Sequence, residues 1–313
     1  MVLDKQPVVC IVGPTAVGKS DVSLELAEAF RGEVISADSM QVYRHMDIGT
    51  AKLPVNERRG IAHHMIDVVS PLETFTVHNY AVMARVALND IVARGHLPIV
   101  VGGTGLYIRA LVDHFDFTQT ERNDALREEL SQQARSYGTS VLYERLLQLD
   151  PDAASRIHHN DERRLIRALE VVLTTGKPMA MNYRIDESPY LPVIIGLTME
   201  RTRLYARIEQ RVEHMIEAGL EQEVRTLFSM GCTSSHTSMQ AIGYKEFAGV
   251  IHGELSLEQA TAEIKQATRR YAKRQLSWFR ADPRIRWYET PEDGMMNKNF
   301  LPQIRQTINR VLP

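Results

Sequence analysis

Cysteine is nearly absent from this 313-residue chain, which has only Cys10 and Cys232. Two thiols so far apart exclude a disulfide framework and a thiolate zinc site, and they suit a reducing cytoplasm. Long hydrophobic runs are also missing, so no segment reaches the length of a membrane span. The N-terminal stretch MVLDKQPVVCIVG has no basic region leading into an extended apolar one, so a soluble, unprocessed protein is expected. Neither sign of charge dominates. A formal net charge of -2 does not advertise a nucleic-acid partner, and any basic surface must be local. Internal repeats and low-complexity segments are lacking too. With 44% hydrophobic and 24% charged residues, the composition is that of an ordinary globular protein rather than a disordered one.

What the chain does contain begins at Gly13-Pro14-Thr15-Ala16-Val17-Gly18-Lys19-Ser20, a complete G-x-x-x-x-G-K-[ST] phosphate loop. It follows the apolar run Val8 to Val12 and precedes a helical pattern from Asp21 to Phe30, the strand-loop-helix setting such a loop requires. Its chemistry is donor density. Glycines let successive backbone N–H groups converge on an anion, the helix presents its positive end, and Lys19 adds a mobile charge. Ser20 is placed to hold Mg²⁺. The loop specifies a diphosphate or triphosphate without specifying a nucleotide.

Short β-branched runs at 33–36 and 97–101 alternate with helical patterns, including one over Val77 to Ala93, which argues for a parallel sheet covered by helices. A further apolar strand over 192–197 comes only after a long helical stretch from about Asn123 to Leu173. The simplest topology therefore inserts a helical domain between two strands of one sheet, with residues 181–190 as the return linker. Helices are expected over 204–216, ending at Gly219, and over 257–280, with a late strand at 285–288.

Three segments should meet at one rim, because ligands of open α/β sheets bind outside the carboxyl ends of the strands. They are the phosphate loop, Asp38-Ser39-Met40-Gln41-Val42-Tyr43 with its continuation Met46 to Lys52, and Val101-Gly102-Gly103-Thr104-Gly105-Leu106-Tyr107. Asp38 could act on a bound substrate or merely cap the next turn. Paired glycines allow close backbone approach, and Thr104 offers a hydroxyl. Arg207 and Arg211, one helical turn apart, could reach one anion together, or be neutralised by Glu209 and Glu213. Lys265, Arg269, Arg270, Lys273, Arg274 and Arg280, interleaved with Tyr271, Trp278 and Phe279, form a basic helix suited either to tracking nucleic-acid phosphates or to solvation. Adjacent His158 and His159 give no metal site.

The set GPTAVGKS, DSMQVY, MDIGTAK, VGGTGLY, NDERRLIRALEV, RIEQRV and QAIGYKE, in that order along nearly the whole chain, resembles the bacterial tRNA dimethylallyltransferases. The resemblance implies an α/β fold: a P-loop NTPase-like parallel sheet flanked by helices, formed by residues 1–117 and 191–313, with an inserted all-helical tRNA-binding domain at 118–190. It implies transfer of a dimethylallyl group from dimethylallyl diphosphate to the N6 amine of the adenosine 3′ of the anticodon, in tRNAs reading U-starting codons, with release of diphosphate. Carried over by motif, residues Gly13 to Ser20 hold the diphosphate, Asp38 is the general base, and Thr104 helps to hold adenine or diphosphate. Arg211 and Lys19 stabilise the leaving group, with Mg²⁺ on Ser20. The tRNA anticodon stem-loop would meet Asp38, Ser39, Met40, Gln41, Thr104, Arg127, Arg163, Arg164, Leu165, Ile166, Arg167, Gln240, Ala241, Ile242, Gly243, Tyr244 and Lys245, with the target base flipped from its stack. A cytoplasmic monomer with no membrane partner is expected. Two rivals differ in chemistry. A small-molecule or nucleoside kinase would use the loop on ATP, and a nucleotide-regulated RNA-binding module would make Asp38 a structural cap.

Overall fold

The structure, a computed structural model, describes residues 5–115, 123–178, 183–184, 188–292 and 298–312, with backbone alone at 114–115 and 183–184. The chain divides into two compact units, 1–114 with 185–313, and 115–184. The expected boundary at 117/118 lies outside the described residues, as do positions 181–182 and 185–187 of the expected linker.

The larger unit opens with β1 (Gln6–Val12), α1 (Lys19–Phe30), β2 (Gly32–Ser36), β3 (His63–His64), α2 (Val77–Ala93), β4 (Leu97–Gly102) and α3 (Gly105–Val112). A two-residue β5 (His114–Phe115) leads into the smaller unit, whose helices are α4 (Asp124–Tyr137), α5 (Thr139–Leu149), α6 (Pro151–Arg156) and α7 (Glu162–Thr175). After β6 (Tyr183–Arg184), which pairs with β5, the chain continues through β7 (Tyr190–Thr198), α8 (Arg201–Glu217), α9 (Leu220–Ser229) and α10 (Tyr244–Ile251). It then forms α11 (Leu257–Arg280), β8 (Arg286–Glu289) and α12 (Phe300–Asn309).

Six strands form one parallel sheet in the order β3-β2-β4-β1-β7-β8. The central β1 pairs Val9 with Ile99 on one side and with Val193 on the other. Val8 to Val12 are fully buried because helices cover both faces, which is why this strand reads as a continuous apolar run. Alternation sorts its side chains: Val8, Cys10 and Val12 join the core that includes α2 and α3, while Val9 and Ile11 join the one that includes α1 and α12. Phe300, Ile304 and Ile308, at helical spacing, seal that second core.

The helical unit has its own core, built from Leu130, Leu142, Leu146, Leu165 and Leu169 among others. Side-chain caps at Asn123, Asp150 and Asp161 start α4, α6 and α7 by accepting the N–H three residues on. Among the described residues no helix is long and apolar enough to cross a membrane.

Candidate active site

The carboxyl ends of β1, β2 and β4 lead straight into the three sequence motifs, which the fold brings to one rim. A cavity of about 910 Å³ opens there, with Thr15, Lys19, Ser20, Asp38, Arg207 and Arg211 among its walls.

The phosphate loop is tightly specified. Gly13 has φ +146°, and a Cβ on it would come within 2.5 Å of the Leu197 carbonyl oxygen, so only glycine fits between β1 and β7. Gly18 takes φ 97° as the cap of α1, and Ala16 holds φ 65°, a conformation that a side chain disfavours. Not every loop residue can present a donor to an anion. Pro14 has no N–H, and the Thr15 N–H is donated to Gln275 Oε1 at 2.9 Å. The helix-start amides and Lys19 remain. Lys19 Nζ donates to the carbonyls of Gly13 and Pro14, at 3.1 and 2.7 Å. Burial, reinforced by the Arg211 charge and only partly offset by Asp38, brings its ammonium down to about 7.

Asp38 sits just past β2. Its Oδ1 accepts from the backbone N–H groups of Met40 (2.8 Å) and Gln41 (3.3 Å), so the capping role open to it from sequence is real. That role uses one oxygen. Among the described residues Oδ2 has no hydrogen-bond partner, and the turn holds the carboxylate rigidly at the cavity wall. Gly102 and Gly103 wall the cavity, whereas the Thr104 hydroxyl accepts the Ser39 N–H at 3.1 Å and so braces the turn carrying Asp38. Gln41 is locked between the Ser36 hydroxyl and the Thr50 carbonyl, and Met40 packs against the core.

Arg207 and Arg211 both face the cavity from α8, close enough that Arg207 disfavours the charge on Arg211. Arg211 donates to Thr15 Oγ1 at 3.0 Å, and burial first, then Arg207, lowers its pKa. The alternative of neutralisation by Glu209 and Glu213 does not occur, because those carboxylates pair with Arg269 (2.6 Å) and Lys265 (2.7 Å) of α11. Among the described residues neither Arg207 nor Arg211 has an ion-pair partner, leaving two cations at the mouth of the phosphate loop. The same pairs take Lys265 and Arg269 out of the basic stripe, whose exposed members are Arg270, Lys273, Arg274 and Arg280.

Helix α11 contributes two residues that the motifs did not single out for this site. Gln275 is 5% exposed and spans from the Thr15 N–H to the Gly103 carbonyl, to which Nε2 donates at 3.0 Å. Tyr271, one turn earlier, contacts Thr104 and Gln275; burial, with Asp38 adding to it, pushes its hydroxyl up to about 12.

Several other expected contact residues are buried or bonded within the fold, and the rest stay exposed. Tyr244 is buried and donates to Glu223 Oε1 at 2.6 Å, while Glu223 accepts the N–H groups of Asp47, Ile48 and Gly49 at 2.8, 2.8 and 3.1 Å. This clamp shapes the MDIGTAK loop on the cavity wall. Gly243, Ala241 and Tyr244 are buried, and Ile242 packs on the core, so in QAIGYKE only Gln240 and Lys245 expose side chains. In the helical unit Leu165 is fully buried, whereas Ile166 packs against that core and remains partly exposed. Arg127 and Arg167 both bond Glu170, which is fully buried, at 2.8 and 2.6 Å. Burial alone would raise that carboxyl, but Arg127, the Asn123 N–H and Arg167 outweigh it and hold it down at about 2. Arg163 and Arg164 stay exposed, with Arg164 near Asp161 at 3.4 Å.

A family model described as IPP transferase matches residues 41–282, and one described as isopentenyl transferase matches residues 6–70. A tRNA dimethylallyltransferase of Caldanaerobacter subterraneus subsp. tengcongensis is 50% identical over 286 residues, covering 90% of this chain and 91% of that one. Its counterpart in Carboxydothermus hydrogenoformans is 47% identical over 293 residues, with 93% and 94% covered. The crystal structure of the tRNA isopentenylpyrophosphate transferase of Bacillus halodurans superposes with a TM-score of 0.74 at 43% identity, over 98% of each chain. A eukaryotic dimethylallyltransferase captured acting on tRNA gives a TM-score of 0.81 at 31% identity, over 98% of this chain and 80% of that one.

Proposed function

The chain belongs to the IPP transferase family, and from that membership and its cavity we infer how it transfers a dimethylallyl group from dimethylallyl diphosphate to tRNA. It is a tRNA-modifying prenyltransferase; the comparisons favour this activity and give no support to a kinase. The acceptor is the N6 amine of the adenosine 3′ of the anticodon, in tRNAs reading U-starting codons. The observation that carries the site assignment is the pairing, in one cavity, of a held carboxylate with a phosphate loop flanked by two arginines that lack acidic partners among the described residues.

The diphosphate binds at the α1 N-terminus, with Lys19 leaving the Gly13 and Pro14 carbonyls for it and Arg211 and Arg207 closing over it. An adenine amine is a poor nucleophile because its lone pair is delocalised into the ring. As the N6–C1 bond forms, the amine proton passes to the free oxygen of Asp38. The C1–O bond to the diphosphate breaks, and Lys19, Arg211 and the loop amides take up the charge that develops there.

Mg²⁺ fits the donor set present. Among the described residues no group of three or more His, Cys, Asp or Glu could hold an ion, but Ser20 and Asp21 wall the cavity beside the loop. A cation that binds chiefly to diphosphate and keeps several waters needs no more than the Ser20 hydroxyl from the protein, and it would neutralise the leaving group. Binding of the anticodon stem-loop draws on the exposed basic residues Arg163, Arg164, Arg270, Lys273, Arg274 and Lys245.

The test is to incubate the protein with Mg²⁺, unmodified tRNA and either dimethylallyl diphosphate or ATP, then digest the RNA and weigh its nucleosides. A prenylated adenosine formed only with the allylic diphosphate supports the reading. No adduct, with ATP consumed when small hydroxyl compounds are supplied, refutes it.

A further inference from the structure

The transfer sketched above needs two ligands on two different loops to meet at bonding distance. The diphosphate is anchored past β1, and the adenine lies beside Asp38, on a turn braced by the loop past β4. β1 and β4 end level, Val12 opposite Gly102, but beyond them the sheet no longer ties the loops together. Gln275 spans that gap. Its Oε1 accepts the Thr15 N–H at 2.9 Å and its Nε2 donates to the Gly103 carbonyl at 3.0 Å. The partners fix the orientation of the amide, since a backbone N–H can only donate and a carbonyl only accept. A Cβ on Gly103 would sit 2.0 Å from Nε2, so this turn is built to admit the carboxamide.

Both ends of the bridge continue into groups of the mechanism. Thr15 also binds Arg211 through its hydroxyl, at 3.0 Å. Gly103 precedes Thr104, which holds the Ser39 N–H next to Asp38, and Tyr271 contacts Thr104 and Gln275 together. A polar side chain 95% withdrawn from solvent and satisfied at both ends is costly to place merely to fill space, where leucine or methionine would serve.

We propose that Gln275 is a positioning residue for prenyl transfer, its carboxamide setting the spacing between the phosphate loop and the Gly103–Thr104 turn so that the allylic carbon is presented to the adenine amine. This rests on the functional reading above. Gln275 borders the cavity, but both ends of its carboxamide are taken up by Thr15 and Gly103, and it acts through them.

The experiment compares the full-length wild type with Gln275→Met and Gln275→Asn, measuring kcat, KM for each substrate, inhibition by inorganic diphosphate, and melting temperature. Met removes both bonds, and Asn keeps the chemistry but is about 1.5 Å too short to span both partners. Misplacement of this size costs on the order of tenfold to a hundredfold in kcat. The expected result is that loss in kcat for both variants, with KM values and diphosphate inhibition within threefold of wild type. If Gln275→Met does not fold, Gln275→Asn decides. Folded variants with kcat within twofold of wild type, or with the whole loss in KM, overturn the proposal. A wild type that forms no prenylated adenosine overturns the functional reading itself, whereas an active wild type with unaffected variants overturns only the role of Gln275.

Discussion

Diphosphate binding should weaken as pH rises through neutrality, because Lys19 in the free protein is held at about 7 by burial and by the neighbouring Arg211. A lysine with that value is about nine-tenths protonated at pH 6 and about 3% protonated at pH 8.5. A diphosphate against the ammonium restores the charged form, so binding above pH 7 must first recruit a proton. Lys19 titration alone then raises the Kd, relative to a residue 19 that stays charged, about 30-fold between pH 6 and pH 8.5, roughly 2 kcal/mol. The sign for folding is opposite. Between pH 7 and the ordinary lysine range the unfolded chain binds the extra proton, so the free protein gains stability over the window in which it loses affinity. The assay is calorimetric titration with inorganic diphosphate in buffers of different ionisation heat, which reads Kd and proton uptake together. Lys19→Arg stays charged throughout and reports the titration of the ligand alone. A wild-type to Lys19→Arg affinity ratio that stays constant from pH 6 to 8.5, without proton uptake at pH 8, would refute the reasoning.

Asp38→Asn keeps an oxygen for the Met40 and Gln41 N–H groups, so the fold and tRNA affinity should hold while single-turnover prenylation falls at least a hundredfold. Glu33 is buried beside Arg94, His64 and His96; burial alone would raise its carboxyl, but their hydrogen bonds hold it down at about 2. Urea unfolding of Glu33→Gln at pH 7 should show a loss of about 2 to 3 kcal/mol, and the wild type should lose this contribution as pH falls from about 4.5 toward 2. Arg127→Ala strips a cation from fully buried Glu170, and a lowered melting temperature, more than a weakened tRNA complex, should register it. Glu223→Ala leaves three N–H groups of the Asp47–Gly49 loop without their acceptor, and faster amide hydrogen exchange at those residues should report it.

Features confined to one segment were legible in the sequence. The phosphate loop, the parallel strands and the two long helices α8 and α11 follow from local pattern, and α11 runs over Leu257–Arg280 as its periodicity indicates. Partner choice across the fold was not legible. Glu209 and Glu213 look like partners for Arg207 and Arg211 because they share a helix, yet they pair with α11, which only the packing of α8 on α11 reveals. Gln275 lies 260 residues from Thr15 inside a basic stripe, where nothing local distinguishes it from a solvated glutamine. Tyr244 in QAIGYKE reads as a recognition motif but is consumed by Glu223. One signal was available: Arg167 and Glu170 stand three apart on α7, the spacing of a helical ion pair. β3 is only two residues long and exists through its pairing with Val34 and Ile35, so no periodicity could mark it.

The central claim is that one rim of the sheet holds the leaving diphosphate and the proton acceptor together. The most direct measurement is a crystal structure with Mg²⁺, an anticodon stem-loop RNA and an unreactive thio analogue of dimethylallyl diphosphate. The account predicts diphosphate oxygens within hydrogen-bond distance of Lys19, Arg211 and the α1 N-terminal amides, with the adenine amine at Asp38 and facing the allylic carbon. A diphosphate bound away from residues 13–20, or an adenine amine out of reach of Asp38, would contradict it.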